Sequence, residues 1–416
     1  MDDRRPVNDC FALPPGVEWT PVEDALAALR RSISPVVRTE DMALSGALGR
    51  VLAADVIAAV SHPPEANAAV DGYAFAYNSY LAGPMRIIDG RAAAGIPFGS
   101  RVEMGEAVRI LTGGILPEGT DTVMLDEDSR VEAEVLHGPT GLKPGANRRR
   151  AGENAQGGDV ALAAGTRLTP QALSHAAVAG VVRATVFRPL RVAILSTGDE
   201  LRAAGQPLAS GQLHDANRPM LAGLAQAWGF HPVDLGIAAD TPGAVRVALD
   251  RGAAEADVIL ASGGASAGDE DWLARLLGDE GTRAIWRIAM KPGRPLALGR
   301  WQGTPVFGLP GNPVAAFVCS LIFARPALGA MAGAGWEEPV PEWRRAGFAK
   351  KRKQGRREYL RARLAPDGSV ETFANEGSGL IRGLVWADGL VELPDGDPSV
   401  EEGDFVRYLP FHAFGL

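Results

Sequence analysis

Few groups suited to soft-metal or redox chemistry are present in this 416-residue chain. Its two cysteines, Cys10 and Cys319, form no CxxC pair and cannot build a disulfide framework. Six histidines (His62, His137, His175, His214, His231 and His412) are scattered without HxxxH or HExxH spacing. These two absences exclude a zinc or haem site, so any metal would be a hard cation held by oxygen ligands. No stretch reaches the ~18 uninterrupted apolar residues of a membrane span, and the apolar run Ala176–Val182 stops at Arg183. The opening MDDRRPVNDC lacks the apolar core of a signal peptide, so a cytoplasmic chain with no membrane contact is expected. An excess of positive charge is also missing. With 42 Lys and Arg against 50 Asp and Glu, the net charge of -8 excludes a chain built to coat nucleic acid.

What is present is ordinary globular material, with 46% hydrophobic and 22% charged residues. A prior of ~150 residues per domain suggests two to four domains. The 51 glycines and 30 prolines supply turns and anion-cradling loops in plenty. A helix is expected over about Pro21–Arg31: Thr20 can cap it, Pro21 suits its first position, and Glu23 completes a capping box. Val22, Ala25, Leu26 and Leu29 then form one apolar stripe. A second amphipathic stretch is expected around Leu44–Ala58. From Pro63 to Gly145, short apolar runs split by Gly, Pro and Asp read as a β-rich module. Helical pattern returns at Thr169–Gly180, again opened by a Thr-Pro pair.

From Leu190 the rhythm is strand, turn, helix, repeated. Strands are expected at Arg191–Leu195, Pro232–Ile237, Asp257–Ala261, Ala284–Ala289 and Pro295–Leu298. Helices are expected at Met220–Trp228, Pro242–Ala254, Asp271–Leu277 and Pro313–Ala324. Such alternation implies right-handed crossovers and a mostly parallel, doubly wound sheet whose ligand lies at the carboxyl ends of the strands. After Gly335, the runs Leu360–Leu364, Gly389–Leu393 and Phe405–Leu409 indicate a small β domain.

Each of those carboxyl ends carries an unusual loop. They are Ser196-Thr197-Gly198-Asp199-Glu200-Leu201, the approach to Asp240, Ser262-Gly263-Gly264-Ala265-Ser266-Ala267-Gly268-Asp269-Glu270-Asp271, Lys291-Pro292-Gly293-Arg294-Pro295, and Gly308-Leu309-Pro310-Gly311-Asn312-Pro313. Glycines admit a ligand close to the backbone, and N–H groups at helix starts favour anions. Carboxylates on the same rim would repel an anion unless a cation lay between them, and Mg²⁺ bridging phosphate oxygens resolves this. Taken singly, each loop reads as well as a structural turn, and Asp199, Glu200 and Asp271 read as helix N-caps. Neither GxxxxGK[ST] nor GxGxxG is present.

Two segments outside this region stand out. Val70-Asp71-Gly72-Tyr73-Ala74 carries an Asp-Gly hairpin signal, and Arg109–Asp121 reads as a strand followed by a glycine loop. Composition leaves structural and functional readings of both open. A basic run, Lys350–Arg363, could be a solvated face or a collector of a small dianion. Within it Arg361 falls in the strand-like stretch Tyr359–Leu364, which fixes its direction.

Together the chain resembles the MoeA family of molybdopterin molybdotransferases, to which the gephyrin E-domain also belongs. The resemblance runs from Pro21 to Phe411. It is carried by Val70–Ala74, Thr112-Gly113-Gly114 with Leu116–Asp121, Ser196–Leu201, Ser262–Ser266 with Asp271, Lys291–Pro295 and Gly308–Pro313. It implies an α/β multidomain chain with a central MogA-like doubly wound domain over 188–332. An elongated helical/mixed domain (1–62 with 147–187), an inserted β-rich module (63–146) and a small C-terminal β-barrel-like domain (333–416) would surround it.

The activity implied is insertion of molybdate into adenylylated molybdopterin with release of AMP, assisted by Mg²⁺. A homodimer is implied, with the site at the subunit interface and Asp71 and Thr112 reaching the partner's site. Transient contact with other molybdenum cofactor enzymes is implied too, and no nucleic acid. Asp199, Glu200, Asp240 and Asp271 would act at the phosphoanhydride, the last three as metal ligands. Ser262, Gly263, Gly264, Ser266, Arg287, Lys291, Arg294 and Pro313 would bind phosphates and pterin, while Pro310, Arg361 and Ser378 match positions associated with molybdate. Asn154, Arg287 and Arg294 depart from the family's usual Asp, Lys and Lys. The alternatives are a molybdopterin adenylyltransferase or a non-catalytic molybdopterin-binding scaffold.

Overall fold

The computed structural model describes residues 19–264, 272–293, 295–351, 355–396 and 399–416. Ser266, Asp271 and Arg294 lie outside the described residues. The chain separates into two compact units, Glu40–Val186 and the remainder, Met1–Thr39 with Phe187–Leu416.

The second unit is built on a six-stranded sheet. From its edge the order is His231–Ala238, Arg191–Thr197, Val258–Ser262, Thr304–Leu309, Pro295–Trp301, Thr282–Arg287. The first four are mutually parallel, and Pro295–Trp301 alone runs against both neighbours. Near-continuous apolar runs explain the parallel part, because strands covered on both faces need no polar alternation. In Val258–Ser262 all five residues are buried. Helices Asn217–Ala227, Pro242–Glu255 and Trp272–Asp279 flank the sheet. Pro242–Glu255 starts as its sequence suggests, with the Thr241 hydroxyl accepting from Ala244 N–H and Pro242 in the first turn.

The helix expected over Pro313–Ala324 extends to Met331, passing through a π-turn at Ser320–Ala324. By length and composition it could cross a membrane, but 83% of its most apolar window is buried inside the protein. Val318, Leu321, Phe323 and Leu328 are core residues there, and truncating a buried Phe such as Phe323 costs about 3–5 kcal/mol. Cys319 is on the same helix; burial pushes its thiol up to about 12, so it is a packing group and not a nucleophile.

Beyond this helix a second sheet forms in the order Met290–Lys291, Arg357–Leu364, Gly389–Leu393, Phe405–Pro410, Glu342–Arg345, with Val370–Thr372 beside Arg357–Leu364. Met290 and Lys291 pair in parallel register with Arg357 and Glu358. Lys291 is therefore a strand residue stitched into the C-terminal sheet, where the sequence reads as a loop.

The first unit holds another sheet, ordered Thr122–Leu125, Gly72–Phe75, Glu106–Ile110, Met85–Ala92, Val135–His137, Arg130–Glu132. The Asp71-Gly72 pair is not a hairpin turn: Gly72–Phe75 pairs with two later strands, and Asn67–Ala68 pairs with Arg148–Arg149. Gly72 is required because a Cβ there would lie 1.8 Å from the Met124 carbonyl oxygen.

Three further expectations are corrected. Thr20 is not a cap: its N–H and C=O are committed to Arg287 and Ala289, and helix Val22–Ser32 starts after Pro21 with no side-chain cap. Leu44–Ala58 is no amphipathic helix but a 3₁₀ turn at Leu44–Gly46 and a short strand at Val56–Ile57. Gly308 and Leu309 belong to a strand missing from the sequence-based assignment, Thr304–Leu309, whose proline and glycine mask its apolar pattern.

Candidate active site

The carboxyl ends of the parallel strands bring the acidic loops together. Asp199 follows the first strand and Asp240 follows its edge neighbour, and they latch onto each other's backbone. Asp240 N–H donates to Asp199 Oδ1 at 3.0 Å, and Asp199 N–H lies 3.3 Å from Asp240 Oδ2. Each carboxylate is thus oriented by a backbone N–H of the other residue. Glu200 folds back over Gly198, where a Cβ would come within 2.6 Å of its Oε2. Neither Asp199 nor Glu200 is a helix N-cap, because a short strand, Leu201–Arg202, follows and the next helix begins at Asn217. A cleft of about 560 Å³ opens here, lined by Gly198, Asp199, Arg202, Gln206, Arg218 and Ala239.

Among the described residues no three His, Cys, Asp or Glu side chains are grouped closely enough to hold a metal. The latched pair Asp199 and Asp240 offers the one or two carboxylates through which Mg²⁺ commonly binds, with water and substrate phosphate completing its shell.

Next to this pair lies the glycine loop. Gly263 has a positive φ of 94°, and a Cβ there would sit 2.6 Å from the Thr197 carbonyl oxygen. Its N–H donates to Leu309 O at 3.2 Å, so the loops after two parallel strands touch. Asn217 binds them from below. Its Nδ2 donates to Ser262 Oγ at 2.5 Å and to Gly311 O at 2.6 Å, and the residue is only 7% exposed. Asn217 went unsingled in the sequence, since an Asn in an Asp-Ala-Asn run reads as a helix start. Asp215 fulfils that role, accepting from the N–H groups of Asn217 and Arg218 at 3.1 and 3.2 Å. Ser196 Oγ, Thr197 Oγ1 and Asn217 Oδ1 are buried with no hydrogen-bond partner among the described residues. The glycine loop therefore rests on a polar floor.

The chain of contacts continues into the C-terminal sheet. Val314 N–H donates to Ser378 O at 3.0 Å, one residue after Pro313, which opens the long helix. Pro310 lies in the turn before it, and Arg287 ends its strand with its carbonyl paired to Thr20. Lys291 Nζ lies 2.5 Å from Glu376 Oε2. The expectation for Arg361 is half met in geometry. Its strand does fix it, but the guanidinium donates to the carbonyls of Leu380, Asn375 and Gly377 at 2.7, 2.5 and 3.3 Å. It is 5% exposed and lies 5.1 Å over the Phe373 ring; burial draws its pKa down. Arg361 thus shapes the loop that carries Ser378. Of the described residues in the basic run around it, Arg356 is only 7% exposed, whereas Lys351 and Arg363 face solvent.

Asp71 and Thr112 meet in the first unit. Asp71 Oδ1 accepts from Thr112 Oγ1 at 2.6 Å and from Thr112 N–H at 2.7 Å. Those bonds, the hydroxyl's first, hold the Asp71 carboxyl below its usual value although it is fully exposed. Asp126 beside it is held by both arms of Arg109, whose guanidinium lies 5.1 Å over Tyr73.

The chain is similar to known proteins over most of its length. Residues 20–180 match the MoeA N-terminal region (domains I and II), 193–330 a probable molybdopterin binding domain, and 344–411 the MoeA C-terminal region (domain IV). Molybdopterin molybdenumtransferase of Haemophilus influenzae is 33% identical over 385 residues, covering 91% of this chain and 95% of that protein. The protein of the same name from Nostoc is 34% identical over 392 residues, covering 91% and 84%. The crystal structure of the molybdopterin biosynthesis MoeA protein of Pyrococcus horikoshii superposes with a TM-score of 0.80 at 26% identity, covering 94% of this chain and all of that one. On these matches, which extend across every part of the fold described above, the chain belongs to the MoeA family.

Proposed function

We propose that this chain is a molybdopterin molybdenumtransferase that inserts molybdate into adenylylated molybdopterin and releases AMP, within molybdenum cofactor biosynthesis. The observation that carries the reading is the continuous set of contacts from Asp240 and Asp199, through the Gly263 loop and Asn217, to Ser378 and Lys291. One rim then offers an acidic end for a metal-bridged phosphoanhydride, a glycine cradle for the pterin, and a basic end for an oxyanion.

Asp199, Glu200 and Asp240, joined by Asp271, would hold Mg²⁺, which would polarise the phosphoanhydride oxygens and neutralise the leaving phosphate. The backbone latch pre-orients the two aspartates. Ser262, Gly263 and Gly264 would admit the pterin close to the backbone, with Ser196, Thr197 and Asn217 as polar oxygens beneath it. Ser266, Arg287, Arg294 and Pro313, with Lys291, complete the surface assigned to phosphate and pterin. Lys291 would in addition receive molybdate together with Pro310 and Ser378, and Arg361 would hold the Ser378 loop in shape through its three carbonyl contacts. Asp71 and Thr112 are assigned to the site of a second copy in a homodimer, and transient transfer to molybdenum enzymes would follow. The four-part division into 1–62 with 147–187, 63–146, 188–332 and 333–416 belongs to the same reading. Catalysis then rests on positioning and electrostatics, with no protein nucleophile.

Purified chain incubated with adenylylated molybdopterin, molybdate and Mg²⁺ should release AMP and form active cofactor. Adenylylation of free molybdopterin by ATP in place of that reaction would overturn the assignment in favour of an adenylyltransferase. Inertness in both assays would point to a scaffold.

A further inference from the structure

Two lysines from different strands converge on a single carboxylate. Lys291 comes from Met290–Lys291, and its Nζ is 2.5 Å from Glu376 Oε2. Lys350 comes from Lys350–Lys351, and its Nζ pairs with Glu376 Oε1 while lying 3.4 Å from Glu358 Oε2. An ammonium can only donate, so two of them meeting at one point define an anion position. Burial alone would raise the Glu376 carboxyl, but hydrogen bonds from Lys291 and Lys350 outweigh it and hold it below its usual value. Glu376 is ionised where it sits.

The backbone around Glu376 is fixed by its neighbours, and its carboxylate is held by Lys291 and Lys350. Arg361 grips the carbonyls of Asn375 and Gly377 on either side, and Val314 N–H holds Ser378 O. The Glu376 side chain nonetheless remains 39% exposed, with solvent to swing into. Beside it lies a cavity of about 20 Å³, lined by Lys291, Tyr359, Arg361, Phe373 and Glu376. That is room for about one water and none for a tetrahedral oxyanion of five heavy atoms.

We propose that Glu376 is a built-in competitor for the oxyanion substrate. Its carboxylate fills the position between Lys291 and Lys350, a tetrahedral dianion displaces it, and the exchange makes the site favour doubly charged over singly charged anions. Glu376 shares one negative charge between Lys291 and Lys350, the latter also near Glu358; a dianion brings twice that charge to the same two ammonium groups and so gains more than the carboxylate loses. A monoanion gains nothing over Glu376 and is turned away. The inference rests on the assignment of Lys291 to molybdate made above.

Equilibrium dialysis of the full chain with molybdate, sulfate and nitrate tests it, using wild type, Glu376→Gln, Glu376→Ala and Lys291→Ala. Both Glu376 variants should bind molybdate and sulfate about three- to fivefold more tightly than wild type, as expected for removing one partly exposed competing charge. They should also gain nitrate binding that wild type lacks, and Lys291→Ala should lose the molybdate site. Molybdate binding unchanged or weaker in both Glu376 variants, with Lys291→Ala still defective, would overturn the competitor role and leave the Lys291 assignment standing. Molybdate binding that is equal in wild type, Glu376→Gln and Lys291→Ala would remove the oxyanion position itself, and the inference with it.

Discussion

At the rim of the parallel sheet, Asp199 and Asp240 accept hydrogen bonds from each other's backbone N–H groups. In the C-terminal sheet, Glu392 accepts instead from Arg357 at 2.9 Å, Arg407 at 3.0 Å and the Tyr359 hydroxyl at 3.1 Å, and is 4% exposed. Both are clusters of acids in one unit, yet they are suited to opposite tasks. A backbone N–H orients a carboxylate without itself bringing a full counter-charge to it. Fixed guanidinium groups consume the charge of Glu392, which leaves structure and no ligand capacity. Burial pushes the Tyr359 phenol up, so it stays a neutral donor to Glu392. The partner type separates a candidate site from a strut.

That contrast can be broken by substitution. Glu392→Gln should cost about 1–3 kcal/mol, because Arg357 and the buried Tyr359 hydroxyl lose a charged acceptor, although Arg357 keeps Glu23 and Arg407 is partly exposed. A urea midpoint would register the loss, while turnover of the protein that stays folded should be kept. Asp240→Asn should do the reverse, lowering AMP release by about a hundredfold or more with the midpoint nearly unchanged. A rim variant that loses stability and keeps its rate would mean the rim is a strut too.

Asn217→Ala should cost about 1–3 kcal/mol by orphaning Gly311 O and Ser262 Oγ. It should also raise KM for adenylylated molybdopterin more than KM for molybdate, since Ser262 and Gly311 lie under the glycine loop. Equal changes in both constants would deny Asn217 a positioning role there. The smallest effect concerns Asp71, whose carboxyl is held below its ordinary 3.8 by Thr112. An acid with a lowered folded value adds stability above its unfolded value and loses it as pH falls through the folded one. Thr112→Val removes the hydroxyl but keeps the N–H bond, so the Asp71 titration seen by NMR should move upward part of the way. No movement would show that the backbone bond alone sets it.

Much of the site was legible in the chain. The alternation of apolar runs with helical pattern located the doubly wound sheet, and the loops at Asp199, Asp240 and Gly263 follow from it, whereas Lys291 is a strand residue of the C-terminal sheet. Thr169 and Pro170 start their helix as read, the Thr169 hydroxyl accepting from Ala172 N–H. Thr20 misled because the same Thr-Pro-x-Glu pattern can cap a helix or extend a strand, and a partner some 270 residues away, Ile288, decided between them. Asp71-Gly72 misled for a similar reason: the glycine is demanded by the Met124 carbonyl across the sheet and not by a tight turn.

The sequence by itself determined which segments become strands and helices and which loops carry charge, since hydrophobic period, proline, glycine and capping residues act over a few neighbours. Only the tertiary structure decided what each charge is for. Whether a carboxylate meets a backbone N–H, a buried guanidinium or two lysines depends on groups tens of residues away. The electrostatic fate of Asp240, Glu392 and Glu376 was settled when those distant donors were brought within hydrogen-bond reach.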